Sequence, residues 1–166
     1  MSTSIDLIRP GVSGDVVAMT AVHHRCWMAK FAELVTPREA VDRLDPNRNL
    51  ARFADWLEPG SDARVTVAER DGKVVGYSTV VGNELLHLFV DPDHAGCGIG
   101  RTLLAAAESQ MSEAGHRTFE LHTMVGNVPA IGLYESAGWQ VTDRVIHSDD
   151  DHGVSYDEHV LLKHLT

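Results

Sequence analysis

The chain has little cysteine, little proline and no long apolar segment. Its two cysteines, Cys26 and Cys97, form no CxxC motif and are too few for a disulfide framework, which favours a reducing compartment. With 6 prolines and 14 glycines among 166 residues, a collagen-like or low-complexity chain is excluded. No apolar run approaches the roughly 18 residues that span a bilayer, and the first residues lack the pattern of a secretion signal. We therefore expect a soluble, cytoplasmic protein.

Positive charge is also scarce. The sequence has 14 Lys and Arg residues against 24 Asp and Glu residues, a formal charge of −10. A field of this sign repels nucleic acid and anionic membranes and favours cationic partners. No linker, repeat or change in composition divides the chain, so we expect residues 1–166 to form one domain.

The hydrophobic pattern predicts a mixed sheet with helices on both faces. Segments with alternating apolar residues predict strands at 5–9, 65–69, 74–81, 85–90, 119–123, 141–146 and 156–162. Helical spacing and capping residues predict helices at 15–27, from Thr36, at 49–57, at 98–114 and at 127–137. The pair Asp71-Gly72 predicts a tight hairpin. The hairpin-linked strands come first along the chain, and a strand–helix–strand unit follows them. This order is typical of an α/β fold with a mixed sheet.

A glycine-rich turn joins the strand that ends at Val90 to a predicted helix. Gly96, Gly98 and Gly100 alternate through this turn, and Arg101 stands just inside the helix. Glycine lets the backbone approach a ligand closely, and a helix N-terminus offers unpaired N–H groups and partial positive charge. This combination predicts a phosphate or pyrophosphate site. Because the spacing fits neither a GxGxxG motif nor a P-loop, we expect the ligand to be neither NAD nor ATP.

A second motif extends from Asn127 to Trp139. Asn127 can cap a helix and Gly138 can end it, so these residues have a purely structural explanation. Tyr134 lies two helical turns from Asn127, on the same flank as Ile131. From the residues alone, Tyr134 is more readily a core side chain than a catalytic one.

Together the two motifs resemble those of the GNAT superfamily of N-acetyltransferases, which move an acetyl group from acetyl-CoA to an amine. In the family's loop pattern Gly98 and Gly100 match, whereas Ala95 stands where a polar side chain is usual, which lowers the expected cofactor affinity. The residues that match the family's helix pattern are Asn127, Ala130, Tyr134, Glu135, Gly138 and Trp139. The resemblance is close over 85–139 and looser elsewhere. It implies a GNAT-like α/β fold of about seven strands with a splayed central pair.

The resemblance also implies where acetyl-CoA would bind. Main-chain groups of Leu88, Phe89 and Val90 would pair with the pantetheine arm, and one of their N–H groups would polarise the acetyl carbonyl. Asn127 would reach the cofactor, and Tyr134 would be the general acid for the departing CoA thiolate. The pyrophosphate would be held by Gly96, Cys97, Gly98, Ile99, Gly100 and Arg101. The sheet must then open between strands 85–90 and 119–123.

Attack by an amine on a thioester also requires a base, because a lysine-like amine is almost entirely protonated at neutral pH. In a related branch, which acetylates the N-terminal alanine of a ribosomal protein, the base is a glutamate; the matching residue here is His122, in phase with Glu120. Imidazole suits this task, although a merely polar residue at the cleft edge is the alternative interpretation of His122. Glu84, acting through a water molecule, is the next candidate. His87 is expected to be a satisfied core histidine.

No short motif identifies the acceptor, so a small amine, an antibiotic and a peptide N-terminus are all open. An acidic stretch at 147–153 favours a cationic acceptor, and Trp27, Phe31 and Glu33 could shape its pocket or belong to the core. We expect an N-acetyltransferase that works by direct attack in a ternary complex without a metal, and a homodimer is compatible with the resemblance. The alternatives are a CoA-binding sensor or scaffold without useful activity, and a metal-binding protein that uses the His and Asp residues of 147–153.

Overall fold

A computed structural model describes residues 7–31, 45–149 and 154–166. The strands in these ranges are β1 (Leu7–Pro10), β2 (Ala63–Arg70), β3 (Lys73–Val81), β4 (Glu84–Val90), β5 (Thr118–Met124), β6 (Gln140–Asp149) and β7 (Val154–His164). The helices are α1 (Val16–Cys26), α2 (Pro46–Leu57), α3 (Ile99–Glu113) and α4 (Val128–Ser136), and a π-helical turn over Trp27–Phe31 continues α1. The helix predicted from Thr36, and Glu33 with it, lie outside the described residues.

All seven described strands belong to one sheet, in the order β1-β2-β3-β4-β5-β7-β6. Every neighbouring pair is antiparallel except β4 and β5, which run parallel. The predicted hairpin joins β2 to β3: Asp71 and Gly72 have φ values of 53° and 73°, the geometry of a type I′ turn. The mixed α/β sheet expected from the sequence is therefore confirmed. No helix in the described ranges is long and apolar enough to cross a membrane.

Several elements are longer than predicted, and α2 and β6 each extend three residues beyond the predicted range at one end. The helix α2 begins at Pro46 rather than Asn49, because the side chain of Asp45 accepts hydrogen bonds from the backbone N–H groups of Asn47 and Arg48. The sequence interpretation started at the periodic residues and missed this cap. The strand β6 also continues through 147–149, where a loop was predicted; residues 150–153 of that stretch lie outside the described residues.

The helices cover both faces of the sheet and divide the core into two layers. The layer below α3 and α4 includes Leu85, Leu104, Phe119, Leu121, Tyr134 and Trp139. The layer below α1 and α2 includes Met19, Val22, Phe53, Val67 and Tyr77. Because each large apolar side chain contributes roughly 1.5–3 kcal/mol when it is fully buried, these layers hold the helices against the sheet.

The sheet opens between β4 and β5, as the family resemblance implied. Only two residue pairs join these strands, Glu84 with Glu120 and Leu85 with Leu121. Beyond them the strands diverge, so none of the described strands pairs with the rest of β4 on this side. A free strand edge can hydrogen-bond to an added strand or an extended ligand.

A β-bulge at Leu86 lies at the point where the strands part. Thr79 of β3 pairs with His87, whereas the next residue, Val80, pairs with Leu85. A bulge adds one residue and changes the direction of the side chains that follow. Here Leu85 faces the layer below α3, while His87 faces α1.

Candidate active site

The opening between β4 and β5 forms a cleft of about 600 Å³. Its walls come from β4, the glycine turn, the start of α3, the end of β5 and α4, and from α1 on the other face of the sheet. This volume lies in the range of small-molecule sites, about 300–1,000 Å³. The cleft brings together the two sequence motifs, which are far apart along the chain.

Most of the residues predicted to bind or react line this cleft. They are Leu88, Phe89, Val90, Gly96, Gly98, Ile99, Gly100, Arg101, His122, Asn127 and Tyr134. Two predicted residues are not among the lining residues. The thiol of Cys97 is turned towards the carbonyl oxygen of Ala95, 3.8 Å away, and Glu84 lies where β4 and β5 are still paired.

The glycine turn has the backbone geometry of an anion site. Gly96 and Gly98 have φ values of 77° and 87°, and Gly98 immediately precedes α3. Glycine adopts this left-handed conformation without strain. No side chain caps the helix, and the first backbone N–H groups of a helix have no partner within it. The turn is therefore suited to a phosphate-containing ligand.

Tyr134 combines a core position with a place on the cleft wall. Its side chain is 7% exposed, and its ring lies 6.2 Å from that of Trp139, centre to centre. Burial raises the pKa of its hydroxyl above the ordinary value near 10. At neutral pH the phenol therefore keeps its proton, so it can serve as a donor but not as a base.

Asn127 occupies the position before α4 without capping the helix. Its side chain makes no cap hydrogen bond, so the predicted capping role is wrong for the side chain. Instead its Nδ2 donates to Oγ1 of Thr123 at 3.2 Å. This acceptor is available because β5 ends beside the start of α4, and the bond holds Asn127 in the cleft wall.

His122 lies on β5 beside two carboxylates. Its Nε2 is 3.6 Å from Oε2 of Glu120, and the ligand atoms of His122, Glu120 and Glu84 all lie within 4.8 Å of one another. The cluster places proton-accepting groups where β4 and β5 part. An imidazole and two carboxylates are also ligand types for a divalent cation, but partly exposed acids often meet without one.

His87 has a hydrogen-bond partner, as expected, but it lies on the cleft wall rather than in the core. The hydroxyl of Tyr77 is 2.9 Å from Nδ1 of His87, and the His87 ring stacks on that of His23 at 5.4 Å between ring centres. Tyr77 is fully buried, and this burial raises the pKa of its hydroxyl well above the ordinary value. A neutral phenol therefore holds one side of the imidazole.

Sequence reasoning missed part of the wall. His23, Cys26, Met124 and Glu158 line the cleft and were not predicted, whereas Trp27 was considered for the acceptor side and does line it. The periodicity of each helix or strand shows that these residues share a face with apolar neighbours. Only strand pairing, such as that of Met124 with Glu158, shows that this face borders the cleft.

Residues 23–139 match the family model described as Acetyltransferase (GNAT) family. A mycothiol acetyltransferase from Clavibacter sepedonicus is 35% identical over 119 residues, which cover 69% of this chain and 38% of that protein. The peptidyl-lysine N-acetyltransferase YjaB from Escherichia coli (strain K12) is 37% identical over 98 residues, 59% of this chain and 61% of that protein. The matched region thus spans 38% and 61% of the length of these two relatives.

Solved structures share the fold. A GCN5-related N-acetyltransferase from Rhodopseudomonas palustris aligns with a TM-score of 0.86 over 99% of both chains, at 21% identity. The PaiA N-acetyltransferase from Thermoplasma acidophilum, in complex with coenzyme A, aligns with a TM-score of 0.80 over 97% of this chain and 99% of that chain, also at 21% identity. These similarities confirm the expected arrangement of strands and helices.

Proposed function

The chain belongs to the acetyltransferase (GNAT) family, and from this premise we propose that it moves an acetyl group from acetyl-CoA to a primary amine by direct attack in a ternary complex. The observation that carries the proposal is the cleft between β4 and β5. The glycine turn, Tyr134 and His122 all line it, so an anion site, a proton donor and a proton acceptor meet in one cavity.

Acetyl-CoA fits the part of the cleft next to α3 and α4. Backbone N–H groups of the turn 96–101, together with the guanidinium of Arg101, would hold the pyrophosphate. The free edge of β4 from Leu88 to Val90 would pair with the pantetheine arm as an added strand does. The PaiA N-acetyltransferase, which has the same fold, was solved in complex with coenzyme A, and this supports coenzyme A as the ligand.

The reaction joins the amine nitrogen to the acetyl carbon and breaks the bond between that carbon and sulfur. His122 would take the first proton from the ammonium, with Glu84 able to assist through a water molecule. A backbone N–H of β4 would stabilise the negative charge that develops on the carbonyl oxygen. The nitrogen loses two protons in all. In the overall balance, the departing thiolate gains one proton, which Tyr134 donates, and the other proton passes to solvent.

The acceptor is proposed to be a cationic small amine or a peptide N-terminus. The formal charge of −10 favours a cation, and carboxylates lie near His122. The two relatives are named for different acceptors: one is a mycothiol acetyltransferase and the other a peptidyl-lysine N-acetyltransferase. The matched regions of these relatives therefore leave the choice of acceptor to experiment.

The test is a measurement of coenzyme A release from acetyl-CoA with a panel of primary amines and short peptides. We expect release that depends on the amine. Tyr134→Phe should lower kcat about 10²–10⁴-fold and leave coenzyme A affinity nearly unchanged by calorimetry, because the ring remains and only the proton donor is lost. Glu135→Gln, at an exposed neighbouring position of α4, is the control and should retain activity.

A CoA-binding sensor makes the opposite prediction. Such a protein would bind coenzyme A but release none from acetyl-CoA with any amine, and Tyr134→Phe would have no turnover to lose. That result, obtained with the full panel, would overturn the proposed activity. Failure to bind coenzyme A at all would overturn the assignment of the cleft as well.

A further inference from the structure

Glu158 is a carboxylate in the cleft wall. It lies on β7, opposite Met124 of β5, and its side chain is half-buried. Within residues 7–31, 45–149 and 154–166, no hydrogen bond or ion pair engages this carboxylate. A charged group that is partly removed from water without a partner is unfavourable. A cation bound in the cleft would supply the missing partner.

Arg144 and Lys163, the arginine and lysine of the described β6 and β7 residues, lie on the other face of the sheet. Side chains alternate along a strand, so Asp157 and Lys163 point away from the face that carries Glu158. Lys163 forms an ion pair with Glu108 of α3, and Arg144 forms one with Asp157. No lysine or arginine of the described β6 and β7 residues therefore competes with a ligand for Glu158.

Glu158 and His122 are diagonal neighbours on the face that borders α1. His122 pairs with Val160 and Met124 pairs with Glu158 across the same two strands. Diagonal residues on adjacent antiparallel strands lie about 7–8 Å apart. The two side chains can therefore hold two nitrogen atoms separated by a short aliphatic spacer. With bonds of about 1.5 Å each, a spacer of four carbons separates its two nitrogen atoms by roughly 6 Å.

An apolar surface lies beside these two polar groups. Trp27 and Met124 form a buried cluster with Phe89, and all three residues line the cleft. Burial of methylene groups against such a surface is favourable. An ammonium group is also attracted to the face of an indole ring. The chain of an aliphatic diamine fits this surface, with a nitrogen at each end.

From this arrangement we propose that Glu158 makes the enzyme selective for acceptors with a second cationic group, of the aliphatic diamine class. One ammonium is acetylated after deprotonation at His122, and the other is held by Glu158. The inference rests on the proposed acetyl transfer and adds which amines the site prefers. No motif carries this assignment, because Glu158 and His122 meet only through the pairing of β5 with β7.

The experiment compares 1,4-diaminobutane with butylamine, which has the same carbon chain but one nitrogen. The ratio of their kcat/KM values is measured at saturating acetyl-CoA. We expect the unmodified protein to prefer the diamine about tenfold or more, and Glu158→Gln to reduce this ratio about tenfold, because the amide keeps the shape and removes the charge. Asp143→Asn removes one negative charge from an exposed residue outside the cleft lining and should keep the ratio.

Two results separate this inference from the proposed function. Equal use of the two amines by the unmodified protein, or an unchanged ratio in Glu158→Gln, would overturn the role of Glu158 and leave acetyl transfer intact. If no amine releases coenzyme A, the proposed activity fails. Titration of both amines into the CoA-bound protein then tests whether Glu158 selects for a second cationic group. Tighter binding of the diamine that Glu158→Gln abolishes would support the role, and equal affinities would overturn it.

Discussion

In the proposed reaction, Tyr134 and His122 have opposite proton-transfer roles. Tyr134 is buried, which raises the pKa of its hydroxyl, so the proton stays on oxygen until a strong base forms beside it. His122 is partly exposed and lies beside Glu120 and Glu84, where β4 and β5 part. Different environments for neighbouring titratable groups are how a site separates its acid from its base.

If His122 is the base, its importance should depend on the acceptor. His122→Gln should lower kcat/KM for butylamine about 10²-fold at pH 7, since this amine arrives as an ammonium. The loss should be much smaller for aniline, which is already neutral at this pH. Steady-state rates with both amines give the comparison. An equal loss with both would contradict a role in deprotonation and favour a structural one.

In the turn between β4 and α3, the position of Gly98 depends on backbone conformation rather than on side-chain contacts. Gly98 has a φ of 87°, and a Cβ added there would meet nothing within 4 Å. The cost of a side chain at this position is therefore backbone strain alone. Relief of that strain would move the N–H groups that are proposed to hold the pyrophosphate.

Gly98→Ala should accordingly destabilise the protein by about 1–2 kcal/mol and weaken binding of coenzyme A. Gly132→Ala is the matched control, because Gly132 lies within α4, has open space around it and lacks a left-handed φ. That change should stabilise the helix by roughly 0.5–1 kcal/mol. Urea unfolding and calorimetric titration measure the two effects. Unchanged stability and affinity in Gly98→Ala would contradict the backbone requirement.

At the scale of the whole molecule, the sheet has few backbone pairs at its centre. The sheet is continuous in order, but only two residue pairs connect β4 to β5, and the cleft lies where pairing stops. An extended ligand in that gap would contact both sides of the sheet. Ligand binding should therefore stabilise the fold as a unit.

Coenzyme A at one hundred times its Kd should raise the melting temperature by about 5–11 °C. Such occupancy adds about 2.7 kcal/mol, and each kcal/mol corresponds to about 2–4 °C for a chain of this size. Pantetheine at the same concentration is the control, and its smaller shift should reflect the lost pyrophosphate contacts. Thermal unfolding followed by circular dichroism provides the measurement. No shift with coenzyme A would rule out binding in the gap.

The sequence predicted well those features that depend on neighbours along the chain. Alternation located the strands, Asp71-Gly72 predicted the first hairpin, and the alternate glycines predicted the turn before α3. The prediction failed where one side chain has two possible partners. Asn127 has the right position for a helix cap, yet it bonds to Thr123, which only the folded chain brings close enough.

The sequence by itself determined the order of the described elements, the glycine turn before α3 and the family resemblance, because hydrophobic periodicity and glycine conformation act over a few residues. The tertiary structure alone decided which side chains face each other across the opening of the sheet. Strand pairing placed Glu158 beside Met124 and diagonally from His122, and it kept Glu84 paired with Glu120, outside the residues that line the cleft. Those relations depend on register between distant segments, which local pattern does not specify.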